Sequence, residues 1–203
     1  MAVLLWLLVV EGLGLIAFLL AFPLMRGLAD RGFGLSKPLG LLFWALPVWL
    51  LGSLSPLPAE GWSLLLVLGV LAAGAVSVAA VRWREVKGFL GGTWPLLLAE
   101  EGVFLFLFAG WTAFRAYDAS INHTEQLMDL AFLNASVKAR FFPPEDPWLR
   151  GHPVSYYYLG YLMMGLPTEA TSLPPRVTYN LSLALVPAMA SQVVVSLVVN
   201  LLA

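Results

Sequence analysis

The 203-residue chain is 60% hydrophobic and 11% charged, with a mean hydropathy of +0.85, whereas an ordinary soluble domain carries about 25% charged residues. This composition excludes a soluble globular domain and identifies a multi-pass membrane protein, and a formal net charge of −1 offers no basic face for nucleic acid. The absence of cysteine rules out disulfides, thiolate nucleophiles and cysteine metal sites.

A spanning helix needs about 20 mainly apolar residues, and six segments meet that criterion: 3–25, 38–54, 62–81, 94–113, 154–171 and 177–201. The first lacks the basic start and small-residue cleavage site of a signal peptide and reads as a retained helix. Pro47 interrupts the second, and Pro167 and Glu169 break the fifth. The predicted fold is all-α, a polytopic transmembrane bundle of about six helices. Residues 1–93 hold the first three helices, and residues 94–203 hold the fourth, a polar loop with an amphipathic interfacial helix, and the last two. The chain stops at Leu201-Leu202-Ala203 without a polar tail, as a piece of a longer protein would.

Orientation follows from Lys and Arg in the short loops, which stay on the cytoplasmic side. Arg26, Arg31 and Lys37 fill the first loop and Arg82, Arg84 and Lys87 the third, whereas residues 52–61 carry none. The N-terminus and residues 114–153 are therefore expected on the outer face of the cell membrane. Arg176, between the fifth and sixth segments, fits the same scheme, which has the last helix run outward.

Residues 111–155 form a polar island with both histidines, His123 and His152, and nine charged side chains. Within it Thr124 is expected to cap a helix running to about Arg140. At 100° per residue Glu125, Asp129, Ser136 and Arg140 share one stripe, opposite Leu127, Leu130, Ala131, Ala135 and Val137. That pattern suits a helix lying among lipid headgroups, with Lys138 snorkelling to phosphate. Pro143-Pro144 and Asp146-Pro147 then forbid helix, and His152-Pro153 leads into the aromatic start of the fifth segment.

Several constellations here carry chemistry. Glu125 and Asp129, one turn apart, either act as a general base and its partner or form a solvated helix face. His123, Glu125 and Asp129 either ligate a divalent ion or serve the helix start. Arg115, Lys138, Arg140 and Arg150 either clamp a lipid phosphate or touch anionic headgroups. Tyr156, Tyr157 and Tyr158 belong to an interfacial aromatic belt. In a helix they would span about 300°, so at least one hydroxyl should turn inward towards Asp146 or Glu125. Glu11, Glu100 and Glu101 lie inside predicted spans, where carboxylates mark either a transport role or a structural pair, with Arg82 and Arg84 as candidate partners.

The run Tyr156-Tyr157-Tyr158-Leu159-Gly160 resembles the hallmark of the Chlor_Arch_YYY family of uncharacterised membrane proteins. The resemblance extends to residues 128–135, to Phe142-Pro143-Pro144 with Asp146-Pro147-Trp148, and to Tyr179-Asn180-Leu181, covering roughly residues 95–190. Members are several times longer, which implies that this chain corresponds to an N-terminal portion. A more distant similarity is to GT-C glycosyltransferases of the protein mannosyltransferase and aminoarabinose transferase kind. Glu125-Gln126 stands at the acidic pair, Arg140-Phe141-Phe142 at the following turn, and Val154 to Tyr158 at the start of the next helix. The chain departs in having Glu125 where an Asp is expected and three helices ahead of the one that should be first.

The resemblance implies inverting transfer from a polyprenyl-phosphate sugar. Glu125 would accept the acceptor's proton, with Asp129 or Asp118 as the other candidate carboxylates, and Arg115, Lys138, Arg140, Arg150, Asp146, His152 and the three tyrosines would bind substrate. The implied partners are membrane lipid, a polyprenyl-phosphate sugar, and the rest of the protein or another membrane subunit. A divalent metal is a possible cofactor. The alternatives are a non-catalytic lipid-binding or assembly subunit, and a transporter piece using Glu100 and Glu101; the inverted repeats expected of a transporter are not seen in the sequence.

Overall fold

The computed structural model describes residues 1–203 as seven α-helices: α1 (Ala2–Ala21), α2 (Ser36–Leu54), α3 (Gly61–Val81), α4 (Trp83–Tyr117), α5 (Gln126–Lys138), α6 (Leu159–Thr171) and α7 (Pro175–Leu202). Five are long and apolar enough to cross a membrane: α1, α2 with the preceding 3-10 turn, α3, α4 and α7. Within a bilayer every backbone polar group must be satisfied internally, which favours such continuous helices. Pro47, Pro95 and Pro187 sit inside α2, α4 and α7 without ending them.

The first and second helices cross closely because glycines face each other's backbones. A side chain on Gly40 would overlap the Leu13 carbonyl, and one on Gly14 would meet Lys37 Cγ at 3.1 Å. Small residues at a crossing let helices in lipid gain van der Waals contact that larger ones forbid. Around this pair Trp6, Val10, Leu41, Trp44, Leu64, Phe104 and Leu185 form the core, drawn from α1, α2, α3, α4 and α7.

The predicted fifth span is not one. Its helix, α6, begins only at Leu159 and has 13 residues, about 20 Å at 1.5 Å per residue, short of a hydrocarbon core of about 30 Å. Ser172 ends it in the left-handed conformation and Pro174-Pro175 start the next helix, so α6 and α7 form a sharp hairpin. The short helix packs against α1, α2, α3, α5 and α7.

As a consequence α7 runs opposite to the expected direction. Asn180, near its start, bonds Arg115 near the end of α4, while Asn200, near its finish, accepts from Ala29 N at 2.6 Å in the α1–α2 connection. Arg176 therefore sits with Arg115 at the island end, not with the basic short loops. At the other end Glu85 gathers Arg26, Arg31 and Arg82 at 3.4, 3.1 and 3.1 Å.

Candidate functional site

The island is built as an ordered layer on the bundle. Phe142 N donates to Gly52 O at 3.1 Å and Ala59 N to Arg140 O at 2.7 Å. Gly52 admits the Phe142 ring, since a Cβ there would stand 2.7 Å from Phe142 Cδ2. The Arg140 guanidinium pairs with Glu60 at 3.1 Å, so this predicted phosphate ligand instead ties the island to the α2–α3 loop. Asp146 caps a turn by accepting from Trp148 N at 2.8 Å and Leu149 N at 3.1 Å, and His152 closes it through its backbone, accepting from Asp146 N at 2.8 Å.

Tyr156, Tyr157 and Tyr158 precede α6 instead of lying in it, so the helical circumference argument does not apply. Their hydroxyls reach neither Asp146 nor Glu125: Tyr156 donates to Tyr157 at 2.6 Å, and Tyr158 accepts from Trp49 Nε1 at 2.7 Å. The bond to Tyr157 comes first, and burial second, in pushing the Tyr156 phenol up to about 12. Phe132 of α5 anchors the cluster, with ring centroids 5.2 Å from Tyr156, 5.4 Å from Tyr161 and 5.4 Å from Trp148.

This packing rotates α5 away from the expected orientation. Thr124 has φ of 41° and does not cap the helix, which begins after Glu125. Phe132, Leu133 and Ser136 are buried while Leu127 is exposed, because the helix packs on α6 and α7. Glu125 points outward, and its only bond to Asp129 is the helical one between its carbonyl and Asp129 N at 2.9 Å.

Asp129 instead faces protein. Its Oδ1 accepts from Tyr161 Oη at 2.5 Å and its Oδ2 from Tyr179 Oη at 3.2 Å. Burial, followed by the bond to Asp129, drives the Tyr161 phenol far above its ordinary range, so it remains a donor. The three residues head a mainly apolar cleft of about 420 Å³ between α5, α6 and α7, walled by Leu133, Met163, Met164, Leu183, Val186 and Met189. On the other side of α5 a polar cleft of about 570 Å³ carries Lys138, Arg150, Glu145 and Asp146. The Asp129 carboxylate thus heads an acyl-sized groove, and a cleft of mixed charge lies across α5.

The remaining predicted residues lie elsewhere. Asp118 follows α4 and accepts from Ser120 Oγ and from His123 Nε2, the latter at 3.1 Å. Those bonds, Ser120 first, hold its carboxyl below the ordinary range. His123 is thereby directed to Asp118 and not to Asp129, and no three His, Asp or Glu side chains converge in metal-ligand geometry. Arg115 is buried, with Nε and Nη2 on Asn180 Oδ1 at 2.8 and 2.5 Å.

Sequence reasoning assigned no role to Tyr161 or Tyr179, although Tyr179 lies in one of the motifs quoted above. Nor did it pair the intramembrane carboxylates correctly. Lys37, 1% exposed, meets Glu101 at 2.6 Å and Glu11 at 3.3 Å, whereas Arg82 is engaged with Glu85. Glu100 is fully buried with neither carboxyl oxygen hydrogen-bonded.

No curated protein and no solved structure matches the chain. A family match covers residues 43–203, which include α3 to α7, most of α2 and every residue of the Asp129 cleft. The chain belongs to this family, described as uncharacterized membrane protein (DUF2298).

Proposed function

We propose that this membrane protein is a glycosyltransferase module that acts on a polyprenyl-phosphate-linked sugar, with Asp129 rather than Glu125 as the general base. The observation that carries the reading is the placement of Asp129, aimed by two phenols, at the head of an apolar cleft. The cleft would take the isoprene chain beside Asp129, while Lys138 and Arg150 line a separate cleft across α5 together with Glu145 and Asp146. Asp129 would accept the acceptor hydroxyl's proton as that oxygen attacks the anomeric carbon, while the lipid phosphate departs with the bonding pair. The distant likeness of the island to GT-C enzymes favours the same reaction class, although it sets Glu125 and not Asp129 at the acidic pair.

In this reading the site faces the outer side of the membrane. Support comes from the opposite end of the bundle, where the short connections carry Arg26, Arg31 and Arg82 and the first turns of α4 carry Arg84 and Lys87.

The test is sugar transfer by the protein in liposomes containing a labelled polyprenyl-phosphate hexose. Asp129→Asn should lower transfer about 10²- to 10⁴-fold, the usual contribution of a general base, and Glu125→Gln should leave it near wild type. Selective retention of polyprenyl phosphate over bulk phospholipid, abolished by filling the cleft with Val186→Trp, should accompany it. Retention without any transfer would favour a lipid-binding or assembly subunit. Equal retention of bulk phospholipid by all variants would remove the reading.

A further inference from the structure

A different cavity, on the opposite flank of α7 from the Asp129 cleft, has no part in that reading. It measures about 330 Å³ and lies where the start of α1, the end of α4 and the start of α7 meet. Its walls include Val3, Ala116, Val177 and Leu181, and its polar groups are Thr112, Arg115, Arg176 and Asn180. Two guanidiniums share one small concavity.

Neither has a counter-ion. Arg115 is 8% exposed, and its hydrogen bonds all go to neutral oxygens, Asn180 Oδ1 and Ser120 O. Its Nη1 makes no hydrogen bond, and no carboxylate forms an ion pair with it. The Arg176 side chain, from the first turn of α7, makes neither a hydrogen bond nor an ion pair. The nearby acid Asp118 is occupied by Ser120 and His123. A buried cation without an opposite charge, as Arg115 is, is costly, and the exposed Arg176 adds a second positive charge to the same cavity.

A third group is also unsatisfied. Thr112 Oγ1, one helical turn before Arg115 on the same face of α4, is buried and has no partner. A buried hydroxyl left in that state keeps its desolvation penalty uncompensated. The free Nη1 of Arg115, the unpaired Arg176 guanidinium and the partnerless Thr112 hydroxyl therefore belong to one cavity wall. A tetrahedral oxyanion satisfies them together, because guanidinium forks match its oxygens and the hydroxyl donates to a third.

We propose that Arg115, Arg176 and Thr112 form a phosphate-binding site separate from the Asp129 cleft. The apolar walls and the position at the end of the spanning helices suit a phosphate carried on a lipid, and free inorganic phosphate shares the recognised chemistry. Asn180 is a positioning residue: it fixes the Arg115 guanidinium, leaving Nη1 for the ligand.

The experiment is native mass spectrometry of the full chain in non-ionic detergent, supplied in turn with phosphatidylglycerol, diacylglycerol and inorganic phosphate. Expected is one tightly retained phosphatidylglycerol and no retained diacylglycerol. Arg176→Gln should weaken retention about tenfold or more, the effect of losing a charge-assisted bond. Arg176 holds no side-chain partner, so this variant keeps the fold, whereas Arg115→Gln disturbs the Asn180 contact and serves only with a circular-dichroism control. Displacement of the lipid by inorganic phosphate assigns the site to a lipid phosphate. Binding of inorganic phosphate alone, sensitive to Arg176→Gln, supports the site with a soluble ligand. Retention of phosphatidylglycerol and diacylglycerol to the same extent, or retention indifferent to Arg176→Gln, overturns it. None of these readouts depends on Asp129, so sugar transfer and phosphate retention fail or succeed separately.

Discussion

Tyr179 and Asn180, consecutive on α7, serve opposite charges: Tyr179 donates to Asp129, and Asn180 accepts from Arg115. Successive helical residues diverge by about 100°, so the carboxylate cleft and the guanidinium cavity meet different flanks of the same turn of α7. The rotation of α7 about its axis is thereby fixed from both flanks.

Tyr161→Phe removes the shorter of the two bonds to Asp129, 2.5 Å against 3.2 Å for Tyr179, and a charge-assisted bond is the stronger kind. Asp129 is only partly buried, so water replaces some of the loss. Tyr161→Phe is expected to cost about 1–2 kcal/mol of stability and Tyr179→Phe less, read as shifts in thermal unfolding in detergent. The reverse order would mean that Asp129 is held mainly by α7.

Much of the spanning architecture was legible because lipid imposes long apolar helices: α1, α2 and α3 sit where hydropathy puts them within a few residues, while α4 contains the expected 94–113 span but begins well before it, at Trp83. What failed was the segment around Tyr156 to Thr171. Its apolar run reads as a span, yet Tyr156 stacks on Phe132 and Tyr157, Tyr158 stacks on Phe142, and only 13 helical residues follow. That single difference reverses α7 and carries Arg176 to the other end. The Asp129 site was half legible. Helical spacing paired Asp129 with Glu125, but its partners come from residues 32 and 50 positions away, which no local periodicity reports.

Two glycines make a matched pair for testing the α1–α2 crossing. A Cβ on Gly40 would overlap the Leu13 backbone, which no rotamer change relieves, while a Cβ on Gly12 meets nothing within 4 Å. Gly40→Ala is expected to destabilise by about 1–3 kcal/mol through overpacking. Gly12→Ala should be neutral or stabilising by up to about 1 kcal/mol, as for Gly→Ala in a helix interior. Equal effects in thermal unfolding would show that the crossing is not close-packed.

Asp118 provides a pH-dependent contact outside the spans. Its carboxyl is held below its ordinary value, by Ser120 first and His123 second, so the folded state favours the ionised form. The contribution is present above the unfolded aspartate value of about 3.9 and is lost as the pH falls through the lower folded value. Ser120→Ala should move the Asp118 titration upward, as followed by the NMR shift of its carboxyl carbon. An unmoved titration would exclude the Ser120 bond as the principal cause.

Lys37 is the counter-ion for two intramembrane carboxylates, and the geometry ranks them. Glu101 is nearer, at 2.6 Å against 3.3 Å for Glu11, and more enclosed, with 19% of its side chain exposed against 37%. The Lys37 ammonium also lies 4.3 Å from the Phe104 ring centroid, which supports a desolvated cation. Removing the lysine leaves acids that must either remain charged in apolar surroundings or take up protons. Lys37→Met is therefore expected to destabilise by about 3–5 kcal/mol, as for a broken buried pair. Adding Glu101→Gln should recover part of that loss, with a coupling of about 1–3 kcal/mol in a double-mutant cycle. The corresponding cycle with Glu11→Gln should give a smaller coupling, because water reaches that carboxylate. A larger coupling to Glu11 would make α1, not α4, the principal partner of the α2 lysine.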